Sequence, residues 1–427
     1  MAHPAVRGFL GFRVGFNTRF YYPIFALLFL DFGLTLEQFA LLNLLWSAAI
    51  VLLEVPSGAL ADIIGRRSLV ILAATMMVVE MGVILLAPDD APAVVLALFA
   101  LNRILSGAAE AMASGADEAL TYDALAADGL EDQWPRVLER LTVVQSGAFF
   151  TAMLVGAAAY DPDFLNQLFG WQLSKAQTLR LPVWLTLGSS LLALAAALSL
   201  PREKNRPECP EHPYREAFAQ VGSVARWLFS KRSVLTVIAA VILLDHVVRL
   251  PMTLSAEYYR SIGYDEAWLG VLGAALAGVS AAAGKPSRWL AERASRTTVF
   301  MILSTFTLTG LVGLALTIPL WGALFMGVLA ISIQAANFFA SYYLNQAVDS
   351  QRRATLLSFK GLGSNLAFGG INLVYTGMLR ALGGGEDLFA RSLWGLPIYF
   401  AALWLIFVVW VNARPSRPKP SPAPPDD

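Results

Sequence analysis

Apolar residues along this chain gather in runs of about 20, the length an α-helix needs to cross the hydrocarbon core of a bilayer. Twelve such runs lie between polar or Pro/Gly breaks. They fall near residues 12–34, 38–61, 68–88, 92–121, 137–160 and 180–200, then near 233–259, 266–286, 298–318, 320–345, 355–382 and 393–413. The ninth and tenth meet at Ile318-Pro319-Leu320, so their separation rests on Pro319 marking a turn. One long internal polar stretch, residues 201–232, opens rich in proline and charge. From Tyr214 to Phe229 it reads as an amphipathic helix lying on a membrane surface. The pattern predicts an all-α membrane protein of twelve transmembrane helices in two six-helix bundles, 1–200 and 233–413, joined by the 201–232 linker. A proline-rich tail, 414–427, is expected to be disordered.

Composition agrees. Hydrophobic residues make up 57% of the 427 and charged ones 15%, with a mean hydropathy of +0.59; a soluble domain carries roughly 25% charged residues. The 31 Lys and Arg balance the 31 Asp and Glu, so no basic surplus points to nucleic acid. Cys209 alone cannot build a disulfide framework, and His3, His212 and His246 are too scattered for a zinc site. No paired-histidine metal motif or nucleophile constellation suggests an enzyme, and no cofactor is called for. The phosphate-cradling Gly-x-x-x-x-Gly-Lys-Ser/Thr loop is absent too, so ATP is not the direct energy source. Most Lys and Arg fall in the loops on one side of the predicted spans, with Lys175, Arg180, Arg260, Arg380 and Arg391 on the other. That bias places both termini in the cytoplasm of a multi-pass inner-membrane protein.

The halves repeat. At an offset of 230 residues, Leu60-Ala61-Asp62-x-x-Gly65-Arg66 falls on Leu290-Ala291-Glu292-x-x-Ser295-Arg296, Gly33 on Gly263 and Arg19 on Arg249. Three coincidences at one offset argue for a duplicated, pseudo-symmetric six-helix unit, an architecture of transporters whose substrate site lies between the halves.

Gly58-Ala-Leu-Ala-Asp62-Ile-Ile-Gly65-Arg66-Arg67, between the second and third spans, resembles the signature loop of the major facilitator superfamily. Arg103-x-x-Ser106-Gly107-x-Ala109 is similar to a second superfamily pattern, common in proton-coupled members. Glu54-Val-Pro-Ser-Gly58 and Asp117-Glu-Ala-Leu-Thr-Tyr-Asp123 extend the resemblance to a bacterial, drug/proton-antiporter-like subgroup. The resemblance implies a monomeric carrier whose signature loop latches the halves in the outward-facing state. The latch residues would be Gly58, Asp62, Gly65, Arg66 and Arg67, with Glu292 and Arg296 in the degraded second copy. Physically, Asp62 at a helix end can pair with Arg66 or face a helix N-terminus of the other half. Gly58 would let helices approach closely and Gly65 permits a tight turn. Arg66 and Arg67 also suffice as topology anchors. The Gly-Pro pattern usual in span five of the family's antiporters is missing from Gln145-Ser-Gly147-Ala-Phe-Phe.

Ionisable residues at membrane depth are functional candidates by default. Arg19 and Arg103 are expected to meet near mid-depth, with Arg249 as the counterpart of Arg19 across the pseudo-twofold. Three cations around one cavity favour an anionic group on the substrate, or hold carboxylates in place. Glu110, two turns from Arg103 on one helical face, and Asp245 are the candidate proton carriers, with Glu54 beside them; a permanent ion pair is the alternative for each. Asp245 is expected to pair with Arg249, and His246 is a weaker candidate relay. Asp117, Glu118 and Asp123 lie near the surface, where a solvated or inter-helix bonding role is favoured over a proton role, and Glu80 reads as a hydrogen-bonding residue of a helix that is peripheral in the family. Gln145, Gln334 and Asn337, with Tyr22 and Tyr342 as aromatic walls, are candidate substrate contacts, though helix-to-helix bonding serves equally.

The sequence therefore reads as a secondary transporter moving a small molecule by alternating access, with protons as coupling ion and export favoured. A proton-coupled importer or uniporter of an organic anion is the alternative. A non-transporting membrane receptor is the alternative of another class.

Overall fold

The computed structural model describes residues 3–203, 211–347, 350–385 and 387–413, and no β-strand occurs among them. Cys209, part of the linker and the 414–427 tail lie outside the described residues. Among the described residues ten helices are long and apolar enough to cross a membrane. Two more complete the twelve. Span 1 falls short because it is broken, Pro4–Asn17 and Phe25–Asp31 flanking a kink. Span 11, Ser350–Leu382, is long but less apolar, with Ser364, Asn365, Asn372 and several glycines in its middle. The others are span 2 (Leu36–Ile64), span 3 (Arg66–Leu85), span 4 (Pro92–Ala113), span 5 (Trp134–Tyr160) and span 6 (Leu181–Ser199). In the second half they are span 7 (Arg232–Thr253, continued by Ser255–Ser261), span 8 (Glu266–Ala282), span 9 (Arg296–Ala315), span 10 (Ala323–Ala347) and span 12 (Gly395–Asn412). The face where spans 1 and 12 carry the chain ends is termed the terminal face, the opposite one the far face.

The 230-residue offset holds through the first three spans of each half. Phe25–Asp31 maps onto Ser255–Ser261, and the starts of spans 2 and 3 map onto those of spans 8 and 9. Gly33 and Gly263 end the matching pieces at φ +88° and +95°, where a side chain would be strained. Pro319 does sit in a turn, between spans 9 and 10. There Leu320 N–H donates to Ile262 O at 3.0 Å and Tyr264 Oη to Leu320 O at 3.1 Å. The linker helix, Pro213–Ser230, buries Leu228 and packs against spans 2 and 11.

The halves meet along two seams, span 2 on span 11 and span 5 on span 8. Both are close. A Cβ on Gly270 of span 8 would lie 2.4 Å from Met153 O of span 5, and one on Gly369 of span 11 would lie 2.9 Å from Ser47 Oγ of span 2. Small residues at these positions let the backbones approach, as lipid-embedded helices require. Lys360 lies inside span 11 and donates to Asn337 Oδ1 at 2.8 Å.

Candidate functional site

The kink in span 1 starts from its sequence. Pro23 fixes its own φ and lacks an N–H, so the helix cannot run unbroken through Thr18-Arg19-Phe20-Tyr21. Span 6 meets the freed backbone groups: Thr186 Oγ1 accepts from Phe20 N at 3.0 Å, and Ser189 Oγ donates to Thr18 O at 2.6 Å. In a bilayer such groups must find protein partners. Span 5 presses on the kink at Gly156, where a Cβ would lie 1.8 Å from Phe20 O.

Arg19 emerges from this kink into the first half. Its Nη1 donates to Glu80 Oε1 at 2.7 Å and to Tyr21 Oη at 3.0 Å. Arg19 is 3% exposed and Glu80 0%, so the pair is a fixed internal one. Glu80 is therefore the charge partner of Arg19. The sequence reading of a peripheral polar residue missed it because span 3 turns this one face inward. Arg103 of span 4 is clamped between the rings of Phe25 and Trp46, each centroid 5.2 Å from its guanidinium carbon. It donates from Nη2 to Asn43 Oδ1 at 3.2 Å, while its buried Nε has no partner.

In the second half Arg249 donates to Asp245 Oδ2 at 2.6 Å and to Asn365 Oδ1 at 2.9 Å. His246 is turned away, its ring held by Ile242 O and Tyr399 Oη.

A cavity of about 530 Å3 lies between the halves, and Arg19, Tyr22, Arg103, Glu110 and Arg249 line it together. Phe149, Met153, Met252 and Phe368 supply apolar wall. Glu110 also lines a second cavity of about 410 Å3 that passes Asn17, Glu54 and Asn365 to Arg13 and Glu118, so the space continues toward the terminal face. Glu110 is exposed within it and makes no ion pair among the described residues. Glu54 accepts from Ser358 Oγ of the other half at 3.4 Å.

Other sequence candidates fall elsewhere. Gln145 does not line the cavity, because span 5 reaches it through Phe149 and Met153, one and two turns farther on. Span 10 reaches it through Ala330 and Ile333, which rotates Gln334 out of the lining. Asn337 is engaged by Lys360, and Tyr342 stacks on Phe338 at 6.2 Å. Asp245 sits behind Arg249 as its counter-ion and is 4% exposed. Asp117 takes the inter-helix role: its side chain is buried, and Arg13 donates to its Oδ1 at 2.9 Å and to Glu118 Oε1 at 2.8 Å.

Arg66 and Arg67 of the signature loop engage their own half and the start of the linker. Arg66 pairs with Asp123, and Glu203 Oε1 accepts from the backbone N–H groups of Arg66 and Arg67, at 2.5 and 3.2 Å, at the start of span 3. Arg67 donates to the carbonyls of Leu198 and Leu200. Gly65 turns at φ +91°. Gly58 does not mediate a close approach here, since a Cβ on it would meet nothing within 4 Å. In the second copy Glu292 pairs with Arg288 at 3.5 Å, and Arg296 lies over the Tyr343 ring.

Polar links between the halves gather instead at the far face. Asp31 accepts from Arg260 Nη1 at 2.8 Å and from Tyr160 Oη at 2.6 Å. Lys175 pairs with Glu266, Glu37 with Arg380, and Asp161 Oδ2 accepts from Ala267 N at 3.0 Å. The cavity is thus closed toward the far face and continuous toward the terminal one. Sequence reasoning had counted Lys175, Arg260 and Arg380 only as topology markers.

Solved structures share this architecture. The nucleoside transporter NupG is 14% identical with a TM-score of 0.68, the match covering 96% of this chain and 98% of that one. A bacterial homolog of the human lysosomal transporter Spinster, in an inward-facing and unoccupied conformation, is 16% identical with a TM-score of 0.65, covering 96% and 95%. A D-xylose-proton symporter is 14% identical with a TM-score of 0.65, covering 96% and 97%. No curated protein matches the sequence. Residues 8–344 match the family profile described as Major Facilitator Superfamily. With a duplicated six-span unit and a cavity between the halves, this multi-pass membrane protein is a transporter, not an enzyme, and belongs to the Major Facilitator Superfamily.

Proposed function

We propose that the chain exports a small organic molecule in exchange for protons, with Glu110 as the exchange group. One observation carries the reading: among the charged side chains lining the central cavity, Glu110 is the carboxylate left without a counter-ion. Arg19 and Arg249 have carboxylates of their own in Glu80 and Asp245. The groups facing Glu110 are Arg19, Arg103, Arg249 and Tyr22 in the central cavity, and Arg13, Glu54 and Glu118 toward the terminal face. Open to the cytoplasm, the ionised carboxylate binds a basic group on the cargo; open to the outside, a proton replaces it. The terminal face is taken as cytoplasmic from the Lys/Arg distribution, which places the chain in a cytoplasmic membrane. The signature-loop residues Gly58, Asp62, Gly65, Arg66 and Arg67, with Glu292 and Arg296, would engage across the halves when the terminal face closes.

The test is thermal stabilisation of the purified protein by lipophilic amines at pH 6 and pH 8, followed by pH-driven flux of the best binder in proteoliposomes. Stabilisation stronger at pH 8, uphill flux against a proton gradient, and loss of both in Glu110→Gln are expected. Binding and flux that keep their pH dependence in Glu110→Gln would refute the assignment. Flux that runs with the proton turns the reading into symport, and binding without flux turns it into reception.

A further inference from the structure

Arg103 remains after the charges of the cavity are paired off. It is 5% exposed, stacked between Phe25 and Trp46, and bonded to one neutral amide oxygen. Its Nε is buried without a partner, and no carboxylate among the described residues lies within ion-pair distance. A guanidinium out of water with no counter-charge is costly unless something supplies one. Glu110 cannot. Ion pairs on one helix form between residues three or four apart, whereas these two are seven apart, roughly 10 Å along the axis. Side chains on a helix lean toward its N-terminus, so both charged ends shift the same way and the separation persists.

The cavity thus holds one cation and one anion that make no direct ion pair among the described residues, separated along span 4 and both lining the same space. Around them Phe149, Met153, Met252 and Phe368 supply apolar wall, with Ser106 and Ser280 as hydroxyls among them. We infer that the cargo is amphoteric, with an acidic group held by Arg103, a basic group held by Glu110, and an apolar, aromatic-compatible body between the two. The basic end rests on the exchange role proposed above for Glu110; the acidic end is an independent addition. The rigid, planar guanidinium fork suits a carboxylate, which it can bind through two parallel hydrogen bonds. A compound whose two charges are neighbours, such as phenylalanine, would satisfy one end only.

Binding of three matched probes tests this: an aminomethyl-biphenyl carboxylate, its methyl ester (cation only) and its N-acetyl derivative (anion only), with phenylalanine as the short control. Affinities are measured by tryptophan fluorescence on the purified full chain at pH 8. The amphoteric probe is expected to bind at least tenfold tighter than the ester, the N-acetyl derivative or phenylalanine. Arg103→Gln should lower it to the level of the ester while leaving the ester unchanged, and Glu110→Gln should lower it to the level of the N-acetyl derivative. Arg103→Lys, which keeps the charge but loses the fork, should fall between. If the ester binds as tightly as the amphoteric probe, the acidic end is wrong and the exchange role of Glu110 stands. If the N-acetyl derivative binds as tightly and Glu110→Gln changes nothing, the exchange role falls and the amphoteric cargo with it. Failure of the amphoteric probe to bind wild-type protein overturns the inference without any variant.

Discussion

Glu80→Gln is the sharpest test of the charge arrangement. The carboxylate is fully buried, 2.7 Å from the guanidinium of Arg19, which is itself 3% exposed. Removing one partner of such a pair strands the other charge, at a cost of about 3–5 kcal/mol. Glutamine retains the shape and an acceptor for Arg19, so the loss reports charge and not packing. Arg19→Met should cost a similar amount, for it strands Glu80. The double variant removes both charges, and its destabilisation should fall well below the sum, since an apolar or neutral replacement of a whole buried pair is often tolerated. Equilibrium unfolding in mixed micelles, followed by tryptophan fluorescence, measures the cycle. Single variants within about 1 kcal/mol of wild type, or additive effects, would refute a fixed buried pair. The companion Glu110→Gln should leave stability close to wild type, because that carboxylate faces open space.

Other consequences follow from the same contacts. Gly156→Ala places a methyl group against Phe20 O, so span 5 must shift; it should destabilise by at least about 1–3 kcal/mol in the same unfolding assay. Gly58→Ala meets open space here and should not lower stability, yet it should slow transport if the signature loop closes on the other half, which flux in vesicles will report. Asp31→Asn removes the acceptor charge for Arg260, and labelling of Met252→Cys from the far face in a Cys209→Ser background should accelerate. Unchanged labelling would show that Asp31 does not hold that face shut.

What could be read in the sequence was local or periodic. The spans follow from hydrophobic length, and the duplication from an offset that the helix boundaries keep to the residue. Asp245 and Arg249 were paired correctly because four residues is one helical turn. Arg19–Glu80 crosses 61 residues and depends on how span 3 is rotated, which no local pattern encodes. The amides depend on the same tertiary information: Gln145 shares a face with Phe149 and Met153 but lies one turn short of the cavity, and span 10 lines it through Ala330 and Ile333. Asp31–Arg260 was legible in principle. Position 30 maps onto 260 and position 31 onto 261, so residues near the pseudo-twofold should meet the mates of their own neighbours. The repeat supplied that signal, but it was applied to motifs and not to contacts.

Burial sorts the charges into two kinds. The pairs that remain inside one half, Arg19–Glu80 and Asp245–Arg249, each contain a carboxylate shut off from water, and nothing in a rocking motion needs to break them. The pairs that join the halves are half-exposed: the side chains of Arg260 and Lys175 are 36% and 34% accessible. Exposed pairs are worth roughly 0–1 kcal/mol each and are screened by salt. Far-face closure is then a sum of weak links, as a reversible gate requires, and it should respond to ionic strength where the internal pairs do not. Raising salt from about 0.01 to 1 M shortens the Debye length roughly tenfold. Accessibility of a cysteine at position 252 from the far face should rise with it, while the unfolding free energy of the Arg19–Glu80 cycle stays put. If both move together, the far-face ion pairs are not what keeps the cavity closed on that side.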